Sequence, residues 1–131
     1  MPDIDFLNFD DLVYLHHGQL ELYGGDPGLR DSTLLESAIA QPQTTFDGKY
    51  LHPFPSGMAA AYVFHIVRNH PFLDGNKRAG IVAALVFLDW NRYDVDAPQG
   101  EVHAITFAVA NGDKEKADVQ AWFEKYARPR Q

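Results

Sequence analysis

The chain has 131 residues, no cysteine and a formal net charge of −7 at pH 7. An acidic balance argues against a broad nucleic-acid surface, because such surfaces need many Lys and Arg contacts to phosphate, and the lack of cysteine excludes disulfides and thiolate zinc sites. This length suits one hydrophobic core better than two. We therefore expect a single domain over residues 1–131 that makes no direct contact with nucleic acid.

Neither the beginning of the chain nor its longest apolar run predicts membrane targeting. The first residues, MPDIDFLNFDD, carry acids where a secretory signal would carry cations. The longest apolar run, residues 79–88, is far shorter than the roughly 20 residues that cross a bilayer. We expect a cytoplasmic protein with no membrane association, in which this run is a buried helix.

Helical periodicity dominates the sequence and predicts six helices. The fourth is apolar almost all round, which is typical of the central helix of a bundle. In sequence order the predicted helices are Phe9–Tyr23, Ser32 or Thr33 to about Pro42, Ser56–Asn69, Gly75–Trp90, Glu101–Ala110 and Lys114–Ala127.

Three helix starts carry capping signals. Asn8 is expected to cap the first helix. Thr33 and Glu36 have capping-box spacing at the start of the second, and Asp113 is expected to cap the sixth.

One segment favours extended structure. QTTFDGKYLHPFP, residues 43–55, places Thr, Phe and Tyr around Asp47 and Gly48, which suits a short hairpin or flap. The segment NRYDVDAPQG, residues 91–100, is interpreted only as the end of the fourth helix. The expected fold is a compact all-α helical bundle with one small β-hairpin flap.

The loop HPFLDGNKRAG, residues 70–80, places two cations in the first turn of the fourth helix. The exposed N–H groups there already make the helix end positive, so each cation costs about 0.3–1 kcal/mol unless an anion is near. Backbone N–H groups around Gly75 to Arg78 could hold phosphate oxygens, with Gly75 permitting close approach. Lys77 and Arg78 would neutralise the same group. The pattern indicates a polyphosphate site.

The same loop supplies candidates for a metal ligand and a base. Asp74 could hold Mg²⁺, which takes one or two carboxylates and completes its shell with phosphate and water. His70 could remove a proton from an attacking hydroxyl, since an unperturbed imidazole is largely neutral at physiological pH. Phe72, between two polar positions, is expected to anchor the loop in the core.

Each polar residue of the loop also has a simpler interpretation. Asp74 could be the N-cap of the fourth helix, Gly75 a turn residue, Asn76 a local hydrogen-bonder and His70 an ordinary loop histidine. Taken together, these interpretations leave the two cations unexplained.

The loop resembles the signature of the Fic/Doc family: His, any residue, Phe, any residue, Asp or Glu, Gly or Ala, Asn, Gly or Lys, Arg. The stretch YGGDPGLRDSTLLESAI is similar to the Doc, or death-on-curing, branch of that family. The resemblance implies a helical bundle whose flap, around residues 46–51, aligns the target segment. The seven residues that fill the fixed positions are His70, Phe72, Asp74, Gly75, Asn76, Lys77 and Arg78.

Two positions differ from the adenylylating members of that family. Lys77 stands where those enzymes generally carry Gly, and Ile81 stands where they carry a second Arg. The Lys-Arg form is similar to Doc toxins, and this likeness implies that ATP binds in the reversed orientation and that its γ-phosphate passes to a threonine of elongation factor Tu, arresting translation. It also implies Mg²⁺ and a Phd-type antitoxin that folds on binding. Adenylyl transfer and a catalytically silent module that binds antitoxin or nucleotide remain alternatives.

Three further signals are weaker. Arg68 matches a basic position of Doc-type sequences and could contact phosphate or target. Ser32 and Glu36 have the spacing of the family's self-inhibitory motif, although helix capping explains Glu36 more simply. The remaining histidines show no zinc-ligand spacing and are interpreted as surface or core residues; they are His16, His17, His52, His65 and His103.

Overall fold

A computed structural model describes residues 3–131, where six helices and two small antiparallel sheets are found. The six predicted helices and the hairpin are confirmed. A 3₁₀ turn, Gln41–Gln43, follows the second helix. The elements are α1 Phe9–Tyr23, α2 Ser32–Ala40, β1 Thr45–Phe46, β2 Lys49–Tyr50, α3 Ser56–Asn69, α4 Asn76–Trp90, β3 Tyr93–Val95, α5 Glu101–Ala110, α6 Lys116–Tyr126 and β4 Ala127–Pro129.

The core is built around α3 and α4, which pack closely because small residues line their contact. A Cβ added at Gly80 of α4 would lie only 2.9 Å from Cγ2 of Val67 on α3. On another side of α3, α6 buries Val119 and Phe123 completely. The loop between α3 and α4 is therefore anchored at both ends in the best-packed part of the molecule.

The caps of the first two helices show one correct and one wrong prediction. Asn8 caps α1 in a capping box: its Oδ1 accepts from the N–H of Asp11 at 2.9 Å. The Thr33–Glu36 box is wrong, because Asp31 is the N-cap of α2 and accepts from the N–H of Leu34 at 3.1 Å. A long-range bond fixes this entry point, since the N–H of Asp31 donates to a carbonyl in the α3–α4 loop.

The cap predicted for the last helix is also wrong. Asp113 belongs to the turn after α5, where its N–H donates to the carbonyl of Ala108 at 2.9 Å. The N-cap of α6 is Glu115, whose N–H is bound by the carboxylate of Asp118 at 2.9 Å. The helix therefore begins two residues later than the sequence indicated.

The flap forms as the turn chemistry predicts. Thr45 pairs with Tyr50 and Phe46 with Lys49, and both central turn residues have positive φ, 52° at Asp47 and 77° at Gly48. This two-residue geometry matches the right-handed twist of the strands.

A second sheet was not predicted. Segment 91–100 contains β3, which pairs with β4 in the register Tyr93 with Pro129 and Val95 with Ala127. Arg130 reinforces this pairing through its exposed ion pairs with Asp89 and Asp94, each 2.6 Å. The partners are more than 30 residues apart in sequence, so neither strand has a local signal.

Within residues 3–131, no helix combines the length and apolar character that crossing a bilayer requires.

Two histidines and a lysine meet where α3 and α6 pack together. Nε2 of His65 lies 3.0 Å from Nζ of Lys116, so the neutral imidazole accepts a hydrogen bond from the ammonium. Among the described residues the buried Nε2 of His52 has no hydrogen-bond partner. Burial first, and then the charge of Lys116, lowers the pKa of His65 to about 4 and also lowers the pKa of His52.

This cluster predicts acid sensitivity. In the unfolded protein these histidines take up protons near the ordinary pKa of 6.5, whereas in the folded protein they resist protonation. The contribution of the neutral histidines to the free energy of unfolding is therefore complete above about pH 6.5 and is lost as the pH falls towards 4. The thermal midpoint should drop between pH 7.5 and pH 5. His65→Gln, which keeps an acceptor for Lys116 but cannot be protonated, should reduce that drop, whereas His103→Gln at an exposed position should not. An equal drop in all three proteins would contradict the prediction.

Candidate active site

The α3–α4 loop and the first turn of α4 line an open cavity of about 410 Å³, closed on one side by Ala110 and Asn111 at the end of α5. This volume lies in the range of small-ligand sites. Six of the eight residues singled out from the sequence line it: His70, Asp74, Gly75, Asn76, Lys77 and Arg78. Phe72 instead lies in the core. Arg68 is not in the lining, and its guanidinium lies 5.2 Å from the centre of the Phe64 ring.

The N-terminus of α4 opens towards this cavity. Gly75 is the N-cap in the left-handed conformation, with φ 75°, and within residues 3–131 this end has no hydrogen bond from a capping side chain. The bond from the N–H of Ala79 to the carbonyl of Gly75 starts the helix, so the three preceding N–H groups have no intrahelical partner. They form the kind of positive cradle that binds phosphate.

The simpler interpretation of Asp74 as a helix cap is wrong. Its Oδ1 accepts from the adjacent N–H of Gly75 at 2.9 Å, whereas an N-cap side chain would reach two or three residues into the helix. The residue precedes the cap and is exposed. Its carboxylate therefore keeps lone pairs available to a ligand.

The cationic groups of Lys77 and Arg78, in the first turn of α4, each lie over an aromatic ring. Nζ of Lys77 lies 5.1 Å from the centre of the Phe107 ring, and Cζ of Arg78 lies 4.9 Å from that of Tyr23. Arg78 also donates to the carbonyl of Gly24, at the C-terminus of α1, at 3.4 Å. Such contacts are worth about 0.5–1 kcal/mol at exposed sites, so they orient both cations but leave their charge available.

A second cavity, of about 590 Å³, shares Lys77 and Arg78 with the first. Its other walls are mainly apolar, with Ile81 of α4 and Val102 and Phe107 of α5. The cations therefore stand between a polar cavity and a more apolar one.

His70 ends α3 in a left-handed conformation, with φ 53°, and its exposed side chain faces the cavity. Its own N–H still donates to the carbonyl of Ile66. The guanidinium of Arg30 binds the last carbonyls of the helix, with Nε 2.7 Å from the oxygen of His70 and Nη2 2.9 Å from that of Asn69.

The middle of the loop is fixed by Asn76 and Phe72. Phe72 is 1% exposed, as expected of an anchor. The side chain of Asn76, itself buried, accepts from the N–H of Phe72 at 2.9 Å and donates to its carbonyl at 3.0 Å. Local hydrogen bonding therefore occupies this side chain, and the backbone N–H of Asn76 is the group left for a phosphate.

His16 of α1 supports the loop from below and was missed as a site residue. Its ring stacks on Phe72 with centroids 3.7 Å apart and planes 7° apart, and its Nε2–H donates to the carbonyl of Asp74 at 2.7 Å. Burial lowers the pKa of His16. The signal available in the sequence was its spacing with Leu12 and Leu20, which predicts a buried face but not a contact with the loop.

The segment between α1 and α2 holds the opposite edge of the loop. The carbonyl of Pro71 accepts from the N–H groups of Arg30 and Asp31, at 2.7 and 2.9 Å, and the N–H of Leu73 donates to the carbonyl of Gly28 at 2.9 Å. The stretch that resembles Doc sequences thus supports the α3–α4 loop through backbone hydrogen bonds.

The donor set suits a magnesium ion held together with phosphate. Residues 3–131 contain no group of three or more His, Asp or Glu side chains that could hold a metal ion on their own. Asp74 offers one exposed carboxylate beside the open helix end. Its Oδ2 lies close to Gly25, since a Cβ added to that glycine would be only 2.8 Å from this oxygen. Mg²⁺ commonly uses one carboxylate with substrate phosphates, so these residues fit that ion.

The sequence of this chain is similar to known proteins. The sequence profile of the Fic/DOC family matches residues 6–88, more than half of the sequence, so the chain belongs to the Fic/DOC family. Toxin Doc of Mycolicibacterium smegmatis is 42% identical over 69 residues, which are 53% of each protein, so the match spans about half the length of that relative. Protein kinase doc of Escherichia phage P1 is 31% identical over 105 residues, 79% of this chain and 81% of that one.

The Asn76 contacts predict a stability effect. Asn76→Ala should lower the free energy of unfolding by about 1–3 kcal/mol for each Phe72 group left without a partner, as measured by urea denaturation. The control Asn111→Ala removes an exposed asparagine from the same cavity wall and should change that free energy by less than about 0.5 kcal/mol. Equal effects would contradict the role assigned to Asn76.

Proposed function

We propose that this chain is a Doc-type toxin that transfers the γ-phosphate of ATP to a Ser or Thr hydroxyl of a translation factor and so arrests translation. The observation that carries the proposal is the placement of His70, Asp74 and the two cations around one cavity at the uncapped start of α4. Family membership and the names of two relatives, a Doc toxin and a protein kinase, support it.

The roles of the side chains follow from their charge and position. The backbone N–H groups of Asn76, Lys77 and Arg78, with the side-chain charges of Lys77 and Arg78, hold the phosphates, since oriented amides and charge-assisted bonds suit a polyanion. Arg68 remains a proposed contact for phosphate or target, on the outer side of α3.

His70 is the proposed general base. It takes the proton of the target hydroxyl, whose oxygen forms a bond to the γ-phosphorus while the bond from that phosphorus to the bridging oxygen breaks and ADP leaves. Such a transfer depends mostly on positioning and charge stabilisation. When bound through Asp74, Mg²⁺ would neutralise phosphate charge; the protein's own contribution is to place that carboxylate beside the helix N-terminus.

Lys77 and Ile81 favour phosphoryl over adenylyl transfer. Lys77 occupies the first turn of α4, beside the cradle, where adenylylating relatives carry Gly, and its ammonium lies over Phe107. Ile81 lines the adjoining cavity where a second Arg would stand. The positive charge is thus concentrated on the first turn.

The proposed target is elongation factor Tu and the proposed partner is a Phd-type antitoxin, both from the resemblance to Doc toxins. An antitoxin encoded beside this protein should co-purify with it. Expression without that antitoxin should stop growth, and harmless expression of folded protein would count against the toxin assignment.

The transferred group can be identified directly. Incubation with ATP, Mg²⁺ and elongation factor Tu should add the mass of one phosphoryl group to the factor, measured on the intact protein. A gain equal to AMP would assign the protein to the adenylylating branch, and no gain on any protein of a lysate would reject the transferase.

His70→Ala should reduce transfer by about 10²–10⁴-fold, which is the usual contribution of a positioned base, while the calorimetric dissociation constant for ATP changes little. His17→Ala, at an exposed histidine of α1 that lines neither of the two cavities, provides the matched control. Full activity in His70→Ala would contradict the role of His70 and assign the base to a different residue.

The cations should contribute to ATP affinity. Lys77→Ala and Arg78→Ala should each weaken ATP binding by about tenfold or more, because a hydrogen bond to a charged group contributes about 1.5–3 kcal/mol. Lys125→Ala removes an equally exposed charge on α6 and should leave the dissociation constant unchanged. The proposed cradle would be wrong if all three variants bound ATP like the parent protein.

A further inference from the structure

We infer that Arg30, which lies outside the nine-residue signature, is a positioning residue that sets the orientation of His70. The inference rests on the proposed function only for the role of His70 as base. Its evidence is the bonding at the end of α3, where the backbone turns into the loop.

A helix leaves its last carbonyls without intrahelical donors. At the end of α3, two of these carbonyls, those of Asn69 and His70, are bound by one guanidinium, at 2.9 and 2.7 Å. A cation at this end also interacts favourably with the helix dipole. The guanidinium of Arg30 thus caps the C-terminus of α3 from 39 and 40 residues away in sequence.

The residue that Arg30 holds is in an unusual conformation. His70 has φ 53° and ψ 54°, a left-handed geometry that costs a residue with a side chain roughly 1–2 kcal/mol. It persists because surrounding contacts fix it. Since the direction of the Cα–Cβ bond follows from these two angles, the contacts that hold the His70 carbonyl also set where the imidazole points.

The backbone of Arg30 acts on the same turn. Its N–H donates to the carbonyl of Pro71 at 2.7 Å, so backbone and side chain together hold two consecutive carbonyls, those of His70 and Pro71. Asn69 adds a third tie, because its Nδ2 donates to the carbonyl of Leu34 on α2 at 3.0 Å.

Arg30 contributes through His70 rather than by binding the substrate. The cavity is lined by His70 and by the loop that follows it, but not by Arg30, and two of its guanidinium nitrogens are already bound to backbone oxygens. Removing the bonds from Arg30 to the carbonyls of Asn69 and His70 should therefore affect the chemical step more than ATP binding, because the N–H groups proposed to hold the phosphates lie on α4.

The test compares Arg30→Met with Arg30→Lys, which keeps the positive charge but lacks the two-pronged guanidinium. Arg30→Met should lower kcat by about 10–100-fold, the cost of displacing a reacting group by about 1 Å, and Arg30→Lys should recover part of it. The dissociation constant for ATP should stay within about twofold of the parent value. Arg128→Met, at an exposed arginine bound only to the neighbouring Ala127 carbonyl among the described contacts, is the control.

A second readout does not depend on activity. The imidazole signals of His70 in a ¹⁵N–¹H spectrum, assigned by their loss in His70→Ala, should shift in both Arg30 variants and not in Arg128→Met. Unchanged His70 signals and unchanged kcat in a folded Arg30→Met would overturn the inference. If that variant does not fold, Arg30→Lys decides by the same measurements. An inactive parent protein would refute the proposed function alone, since the spectra still report the orientation of His70.

Discussion

The uncapped N-terminus of α4 is the constraint on which the site depends. The starts of α1 and α2 are closed by the side chains of Asn8 and Asp31, whereas α5, like α4, begins at a left-handed glycine with no capping side chain among the described residues. At α4 a left-handed glycine begins the helix, and none of the side chains of residues 3–131 caps it. The fold thus leaves N–H groups facing a cavity and adds two cations, an arrangement that favours an anionic ligand.

This open end can exist because the loop before it is held by other elements. Within the loop, the side chain of Asn76 makes two hydrogen bonds with the backbone of Phe72. From α1, His16 stacks on the Phe72 ring and binds the carbonyl of Asp74, and from the α1–α2 segment Arg30 binds the carbonyl of His70. A catalytic loop needs such support, because small displacements of reacting groups are costly.

The residues of the signature have two different physical roles. Phe72 and Asn76 are buried and shape the loop, whereas His70, Asp74, Lys77 and Arg78 are exposed around the cavity. The nine-residue pattern therefore combines two kinds of requirement, packing and chemistry, which the sequence distinguished for Phe72 but not for Asn76. For Asn76 the structure shows that the side chain serves packing, which leaves its backbone N–H as the group available to phosphate.

What the sequence alone determined is what local patterns encode. Periodicity predicted all six helices, Asp47 and Gly48 predicted the flap, and the signature predicted which residues would surround the cavity. Tertiary structure alone decided the contacts that join distant segments: the pairing of β3 with β4, the bond from the N–H of Asp31 to the carbonyl of Pro71, and the supports from His16 and Arg30. Helical spacing and turn propensities act over a few residues, whereas these contacts join partners some 30 to 60 residues apart, which only packing brings together.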